Sequence, residues 1–268
     1  MMQLEELAPA KINLALHVRG KLPDGRHRLE TVFAFCTDGD RVAAGPAEEV
    51  SLQVKGPFSG ELGDPDDNLA LRAARALRED AGVSGGASLV LTKNLPVASG
   101  IGGGSADAAA VLRLLTRMWS IDPSHASAVA PALGADVPAC LLSMSVRGDG
   151  AGDELKSVDA GVSGTPILLV NPRVAVSTAE VFTAWSGEDK GPLDDWRAGR
   201  NDLQEAAVKQ FPLIGTVLAW LSVQPGAHFV RMSGSGATCF ALFDTEIARD
   251  QVEIAVPREW WRLSTYLR

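Results

Sequence analysis

The chain has 268 residues, of which 46% are hydrophobic and 22% charged, and its formal net charge is −8. This length and composition fit a globular protein that buries its core as one large domain or two small ones. The acidic balance argues against nucleic acids and anionic membranes as partners, because both bind a basic face, and no apolar run approaches the roughly 20 residues of a membrane-spanning helix.

The opening segment and the cysteines favour a cytoplasmic location. Residues 1–6 are acidic where an export signal would be basic, so we expect no signal peptide. Cys36, Cys140 and Cys239 are odd in number and far apart, and they match neither a CxxC pair nor a zinc-binding spacing. Thiols of this kind are typical of a reducing compartment. The sequence leaves the oligomeric state open between a monomer and a homodimer.

Apolar and polar side chains alternate over residues 8–18, which predicts a strand. Lys11 and Asn13 project together from its polar face, either into solvent along an edge strand or toward a ligand. Basic residues crowd into this stretch and the turn after it: Lys11, Arg19, Lys21, Arg26 and Arg28. This local charge fits an ordinary solvated surface and a small anionic substrate equally well.

Turn chemistry and a helix cap follow before the middle of the chain. Pro23-Asp24-Gly25 is typical of a turn. Asp67 or Asn68 can cap a helix that begins at Leu69, because both side chains accept hydrogen bonds from the first turn. The predicted strands of this region are residues 29–35, 50–54 and 87–92.

A glycine-rich loop separates the strand at 87–92 from a helix predicted over residues 105–119. Its glycines are Gly100, Gly102, Gly103 and Gly104. Glycine loses more conformational freedom on folding than other residues, so a close approach or a positive φ must require them. Such a loop at a helix N-terminus suits phosphate, because unpaired N–H groups and the positive end of the helix dipole face the anion.

Two known phosphate-binding patterns do not match this loop. No Gly-Lys-Ser or Gly-Lys-Thr follows the glycines, so the loop is not a P-loop. The dinucleotide pattern requires a glycine where Ser105 stands. The alternative to an anion site is a tight turn packed against its own helix, although a turn needs only one or two glycines.

Asp136 is the acidic residue of interest beyond the glycine loop. It lies just ahead of Pro138 and after a helix predicted over residues 123–132. From its position alone, Asp136 is most simply interpreted as a helix cap.

The composition loosens over residues 156–166, which predicts a domain boundary. The first domain is then 1–157 and the second 158–268. A loop that the sequence suggests is mobile spans 186–199. The other predicted elements of the second domain are, in order, strand 167–170, helix 177–185, helices 200–210 and 213–221, strand 228–231, a glycine turn at 232–238, strand 238–243, helix 245–255 and strand 260–267.

Separated segments of the chain resemble one family, the GHMP small-molecule kinases. The pattern Pro96-x-x-x-Gly100-Ile-Gly-Gly-Gly-Ser-x-x-Ala-Ala resembles their ATP loop, and Met232-Ser-Gly-Ser-Gly-Ala-Thr resembles their C-terminal glycine motif. The resemblance implies a two-lobed α+β fold. Its N-terminal lobe is of the ribosomal S5 domain 2 type, its C-terminal lobe is ferredoxin-like, and the active site lies between them.

Other segments are similar to one branch of that family, whose substrate is a cytidine diphosphate-linked methylerythritol. They are Pro9-Ala-Lys-Ile-Asn-Leu-Ala-Leu, Asp24-Gly-x-His27, Asp67-Asn-Leu, Leu133-Gly-Ala-Asp136-Val-Pro and Arg200-Asn-Asp-Leu. The resemblance implies ATP- and Mg²⁺-dependent phosphorylation of the 2-hydroxyl of this small molecule, a step of non-mevalonate isoprenoid biosynthesis. Two alternatives stay open: a GHMP kinase with a different alcohol substrate, and a non-catalytic nucleotide-binding homologue.

The resemblance also implies roles for particular residues. Asp136 becomes the catalytic base, and Lys11 lies close to it, keeps it ionised and offsets charge on the transferring phosphoryl group. Asn13 helps to hold the substrate, while His27 hydrogen-bonds the cytosine and Phe182 packs on its face. The residues implied to bind ATP are Asn68, Leu69, Pro96, Val97, Ala98, Ser99, Gly100, Ile101, Gly102, Gly103, Gly104, Ser105 and Ala106. No metal ligand is assigned.

The chain departs from the branch's pattern at a few of these positions. Arg26 replaces a tyrosine that stacks on the cytosine, and a guanidinium can either stack on the base or pair with the diphosphate. Ala98 and Ser99 replace glycines, which a backbone cradle tolerates while their φ stays negative. Ala106 replaces a second serine, so the hydroxyl of Ser105 must serve alone.

Overall fold

The computed structural model describes residues 4–268. The prediction that no signal peptide is present concerns residues 1–6, and residues 1–3 lie outside the described residues. The protein forms two compact units, each made of several stretches of chain. The first unit comprises Met1–Ala10, Asp38–Val97 and Gly102–Ser143, and the second comprises Lys11–Thr37, Ala98–Ile101 and Met144–Arg268. The predicted boundary between 1–157 and 158–268 describes a different partition and stays a prediction.

Two long strands, β1 (Leu4–Lys21) and β2 (His27–Ala47), pair with each other, and each contributes residues to both units. The sequence predicts only residues 8–18 of β1 and residues 29–35, near the start of β2. β2 continues beyond residue 35 through Thr37-Asp38-Gly39-Asp40, where the polar composition hides the strand. β1 is buried on both faces between Ala8 and Val18, so neither face of this stretch is solvated.

The first unit combines strands with a group of helices. Its part of β2 pairs antiparallel with β4, and β4 pairs parallel with β3. The elements are β3 (Ser51–Lys55), α1 (Leu69–Asp80), β4 (Gly86–Thr92), α2 (Gly103–Trp119), α3 (Pro123–Leu133) and α4 (Val137–Leu142). Alanines at 106 and 108–110 are fully buried in α2, and small side chains let helices approach closely. Asn68 caps α1 by accepting a hydrogen bond from the N–H of Ala70 at 2.9 Å, one of the two caps that the sequence offers.

The second unit contains a four-stranded antiparallel sheet in the order β10–β7–β9–β8. Its elements are β5 (Val146–Asp149), β6 (Glu154–Ser157), β7 (Pro166–Asn171), α5 (Thr178–Ala184), α6 (Gln204–Gln210), α7 (Pro212–Ser222), β8 (Ala227–Met232), β9 (Cys239–Phe243), α8 (Glu246–Ala255) and β10 (Trp261–Tyr266). From β7 onward the order is strand, helices, two strands, helix and strand, which is the ferredoxin-like arrangement. The mixture of helices and sheets confirms the predicted α+β class.

The sequence suggests that segment 186–199 is mobile, but hydrogen bonds and an ion pair hold it to other residues of the second unit. The N–H of Leu193 donates to Glu30 Oε2 at 2.6 Å, and Arg19 pairs with Asp189 at 2.7 Å. The carbonyl of Gly191 accepts a hydrogen bond from Arg200 at 2.9 Å. Glu30 and Arg19 lie far from this segment in sequence, which is why composition alone suggests a free loop. Over residues 4–268, none of the helices is both long and apolar enough to cross a membrane.

Candidate active site

Lys11 and Asn13 form a buried polar pair on β1. Their exposed fractions are 3% and 2%, so the interpretation as a solvated face is wrong. The Nζ of Lys11 donates to Asn13 Oδ1 at 3.2 Å and lies 4.9 Å from the ring centroid of Phe33. The amide of Asn13 in turn donates to Thr31 Oγ1 at 2.8 Å. A buried cation that rests on an amide oxygen and an aromatic face is held in one orientation.

The segment Ala98–Ile101 of the glycine loop lies against the second glycine motif within the second unit. Gly100 has a φ of 75°, and a β-carbon on it would lie 2.5 Å from the carbonyl oxygen of Ser233, so only glycine fits. The carbonyl of Gly100 accepts a hydrogen bond from Ser233 Oγ at 2.8 Å. The carbonyl of Ile101 accepts one from the N–H of Lys11 at 2.9 Å. The structure thus brings together three segments that the sequence offers separately.

Ala98 corrects one expectation about the loop. Its φ is 49°, in the left-handed region, where the sequence analysis requires a negative value. A non-glycine residue held in this region carries strain of order 1 kcal/mol. The alanine therefore occupies a position that glycine would fill without strain.

The remaining part of the loop belongs to the first unit and leads into α2. Gly102 has a φ of 65° and immediately precedes the helix, whose first turn contains Gly103, Gly104 and Ser105. A β-carbon on Gly104 would lie 3.5 Å from Cδ1 of Leu69, at the start of α1. The helix N-terminus predicted to hold phosphate therefore adjoins a residue predicted to lie near the adenine. The roles of these residues in binding ATP stay predictions.

A buried charge cluster of Lys93, Asp40 and Asp107 lies at the base of the same loop. Lys93 directly follows β4, and Asp107 lies in the second turn of α2. The Nζ of Lys93 is 2.8 Å from Asp107 Oδ2 and also pairs with Asp40. Asp40 Oδ1 accepts hydrogen bonds from the N–H groups of Asn94 and Leu95. Burial raises the pKa of Asp107 to about 7, against the opposing effect of Lys93.

This charge cluster is not predicted from the sequence, although Lys93 and Asp107 flank the loop only 14 residues apart. The detectable signal is a charged residue on each side of a glycine loop. The third member is harder to find, because Asp40 lies 53 residues from Lys93.

Asp136 immediately precedes α4, and the side chain makes no capping hydrogen bond to that helix in the described structure. Its carbonyl oxygen accepts the N–H of Cys140 at 3.0 Å, as the first helical turn requires. Asp136 therefore occupies the N-cap position of α4 without the side-chain hydrogen bond of a cap. Asp136 belongs to the first unit and Lys11 to the second. Among residues 4–268 no group of three or more His, Cys, Asp or Glu side chains is arranged to hold a metal ion.

Aromatic rings surround His27 in the second unit. Phe182 stacks on the imidazole with ring centroids 4.5 Å apart and an interplanar angle of 26°. Trp185, which sequence analysis does not identify, meets it edge-on at 5.8 Å and 83°. Burial, followed by the charge of Lys21, lowers the pKa of His27, so the ring is neutral at neutral pH. Phe182 and Trp185 are three residues apart around α5 and its C-terminus, a spacing that places them on one side.

Arg26 lies beside this group but pairs with acidic side chains. Its Nε is 2.7 Å from Asp24 Oδ2, and its Nη1 is 2.9 Å from Asp153 Oδ2. Its side chain is 55% exposed, so these are surface ion pairs. Whether Arg26 stacks on the base or pairs with the diphosphate stays a prediction.

Known proteins resemble this chain over its whole length. A family model described as "GHMP kinases N terminal domain" matches residues 68–144, and one described as "GHMP kinases C terminal" matches residues 190–262. A protein of Rhizorhabdus wittichii named "4-diphosphocytidyl-2-C-methyl-D-erythritol kinase" is 52% identical, with 98% of this chain and 94% of that protein aligned. A protein of Novosphingobium aromaticivorans with the same name is 48% identical, with 100% of this chain and 94% of that protein aligned.

Solved structures give the same picture. A crystal structure of 4-(cytidine 5'-diphospho)-2C-methyl-D-erythritol kinase superposes with a TM-score of 0.83 and 34% identity, covering 98% of this chain and 99% of that one. A homoserine kinase from Cytophaga hutchinsonii superposes with a TM-score of 0.74 at 17% identity, covering 99% of this chain and 95% of that one. At that identity, the second comparison shows a shared fold alone.

Proposed function

This chain belongs to the GHMP kinase family, and from that premise we propose that it transfers the γ-phosphoryl group of ATP to the 2-hydroxyl of 4-diphosphocytidyl-2-C-methyl-D-erythritol. The observation that carries the proposal is the 52% identity to a protein of that name across 98% of this chain. The buried Lys11–Asn13 pair and the tightly fitted glycine loop support a working kinase over a degenerate binder. The reaction would serve non-mevalonate isoprenoid synthesis in the cytoplasm.

In this proposal Asp136 accepts the proton of the attacking hydroxyl, a role typically worth about 10²–10⁴-fold in rate. Lys11 offsets the charge on the transferring phosphoryl group. Its burial strengthens this effect, since a charge acts more strongly where water is excluded.

The nucleotide is proposed to lie on the glycine loop, residues 96–106. Backbone N–H groups at the start of α2 would hold its phosphates, Ser105 would supply a hydroxyl, and Asn68 and Leu69 would flank the adenine. Gly104 approaches Leu69, which supports one continuous nucleotide surface in the first unit. Mg²⁺, bound mainly through the phosphate oxygens, would neutralise their charge.

The substrate is proposed to contact the second unit at two places. Asn13 would hold the methylerythritol portion, and His27 with Phe182 would contact the cytosine. A neutral imidazole offers one donor and one acceptor, which suits the edge of a base. Arg26 uses two of its five N–H groups on Asp24 and Asp153 and keeps others for the diphosphate.

The test is Mg²⁺-dependent ADP release with a panel of alcohols. The panel contains 4-diphosphocytidyl-2-C-methylerythritol, its cytidine-free phosphate, homoserine and mevalonate. We expect turnover with the cytidylated compound alone. Turnover with another alcohol and none with the cytidylated compound would support a kinase but contradict the proposed substrate.

A further inference from the structure

Arg113 interrupts a buried stretch of α2. Residues 106–112 and 114–116 are buried, and Arg113 lies half-buried between them. A guanidinium that loses water in such a place must find other acceptors for its N–H groups, because an unpaired buried charge is costly. The partners that Arg113 has found therefore account for its place in the helix.

Those partners tie α2 to two other segments of the first unit. The Nη1 of Arg113 donates to the carbonyl oxygens of Cys140 and Leu141 on α4, at 2.7 and 3.3 Å. Its Nη2 donates to the carbonyl oxygen of Leu7 at 2.9 Å, and its Nε to Glu6 Oε1 at 2.8 Å, both on β1. One planar guanidinium thus joins α2, α4 and the start of β1.

Helix α4 needs support of this kind. It has six residues, and helices shorter than about 12 residues are marginal by themselves in water. Cys140 and Leu141 lie in its last turn, where the carbonyl groups have no partner within the helix. A cation at that end also complements the negative end of the helix dipole. Arg113 supplies both the hydrogen bonds and the positive charge.

Asp136 lies one turn before these carbonyl groups, at the beginning of α4. The N–H of Cys140 donates to the carbonyl oxygen of Asp136 at 3.0 Å, and the carbonyl of Cys140 receives Arg113. The orientation of α4 decides where the carboxylate of Asp136 is presented. A general base must come within hydrogen-bond reach of the proton that it accepts, and a displacement of about 1 Å can cost about 10²-fold in rate.

We propose that Arg113 is a positioning residue for the catalytic base, and that it holds α4 in the orientation that Asp136 requires. This inference rests on the proposed function, in which Asp136 is the base. Arg113 then acts through Asp136 alone, without touching ATP or the alcohol. Its loss should therefore lower kcat and leave the KM values for both substrates unchanged.

A double-mutant cycle between Arg113 and Asp136 tests the proposal. We expect Arg113→Met to lower kcat about 10- to 100-fold and Asp136→Asn to lower it about 10²–10⁴-fold. The double variant should be as slow as Asp136→Asn alone, because a displaced amide has no basic function left to lose. A residue with a merely structural role would lower kcat by the same factor in both backgrounds.

Arg117→Met is the matched control. Arg117 lies on the same helix and pairs with the same Glu6, at 2.6 Å, but within residues 4–268 its hydrogen bonds reach only Glu5 and Glu6. We expect its kcat and KM values to equal those of the wild type. Circular dichroism at the assay temperature checks folding, and Arg113→Gln replaces Arg113→Met in the cycle if the latter does not fold.

The cycle separates this inference from the proposed function. An unchanged kcat in Arg113→Met, or multiplied losses in the double variant, would overturn the positioning role while Asp136→Asn stays slow. Full turnover by Asp136→Asn would overturn the proposed base and, with it, the positioning role. If the wild type phosphorylates another alcohol of the panel, the substrate is wrong, and the same cycle on that alcohol decides the role of Arg113.

Discussion

Two of the clusters in which one cation lies between two carboxylates differ in their contact with water. In the first unit, Lys93, Asp40 and Asp107 have side-chain exposures of 2%, 0% and 4%. In the second unit, Arg26 is 55% exposed, and Asp24 and Asp153 are 50% and 35% exposed. The same arrangement of charge therefore has different consequences. Buried charges depend on each other for stability, whereas water and salt screen the exposed ones.

The largest expected effect comes from Lys93→Met, which leaves two carboxylates buried without their cation. Breaking a buried pair on one side costs about 3–5 kcal/mol of unfolding free energy. Urea denaturation measures this loss. The matched control is Lys156→Met, since Lys156 pairs with Asp149 at 3.3 Å but is 71% exposed. Equal losses of unfolding free energy in the two variants would contradict the expected difference between buried and exposed ion pairs.

Asp136 lies between these extremes of burial, and its expected effect is on chemistry. Asp136→Asn should lower kcat by about 10²–10⁴-fold while ATP binding and stability stay close to those of the wild type. Steady-state kinetics and denaturation measure the two quantities. Asp122 is the control, because it does cap its helix, accepting the N–H of Ser124 at 2.8 Å. Asp122→Asn should retain turnover. If Asp136→Asn also retains turnover, Asp136 is not the catalytic base.

The pH dependence of stability sharpens the comparison next. The folded-state pKa of Asp107 is about 7, above its ordinary value of 3.8, because burial disfavours the carboxylate. Between these values the folded chain binds more protons at this group than the unfolded chain. Its contribution is therefore fully present below pH 3.8 and is lost as pH rises through about 7. Lys93 and Asp40 are the charged groups that face it.

Asp107→Asn imitates the protonated acid, so the variant should not lose the stability that the wild type loses at this group as pH rises. Urea unfolding from about pH 4 to about pH 8 would show the variant gaining on the wild type as pH rises. A constant difference across the range would mean that Asp107 does not titrate there. Asp122→Asn is again the control, because hydrogen bonding from Ser124 lowers the pKa of Asp122 instead of raising it.

The smallest effect on stability should come from Arg26→Ala. The ion pairs of Arg26 are exposed, so the free energy of unfolding should hardly change, at low or high salt. The KM for the cytidylated substrate should rise severalfold with the KM for ATP unchanged, because the guanidinium is proposed to reach the diphosphate. A rise of equal size in both KM values would place Arg26 outside the substrate region.

Local chemistry predicts part of this structure well. The strand β4 and the helices α1 and α2 follow from apolar runs, an Asn68 cap and an alanine-rich segment, all of which act over a few residues. The β5–β6 hairpin is missed because its glycine-rich turn conceals two short polar strands. The expectation of a negative φ for Ala98 is wrong, because the contacts of neighbouring residues fix the backbone there against the preference of alanine.

The candidate site divides in the same way. Glycine patterns indicate the nucleotide loop directly, but the partners of the charged residues do not follow from spacing. Arg26 pairs with Asp153 across 127 residues, and Lys93 pairs with Asp40 across 53. Whether a cation is buried or solvated depends on such distant partners, and therefore on the tertiary structure.

The interleaving of the two units constrains how the protein can be divided. A fragment that starts at residue 158 contains all four strands of the β10–β7–β9–β8 sheet, yet it lacks Lys11–Thr37 and Ala98–Ile101, which belong to the same unit. Gene truncation at that point should thus give an insoluble product. Limited proteolysis should likewise fail to release a stable half.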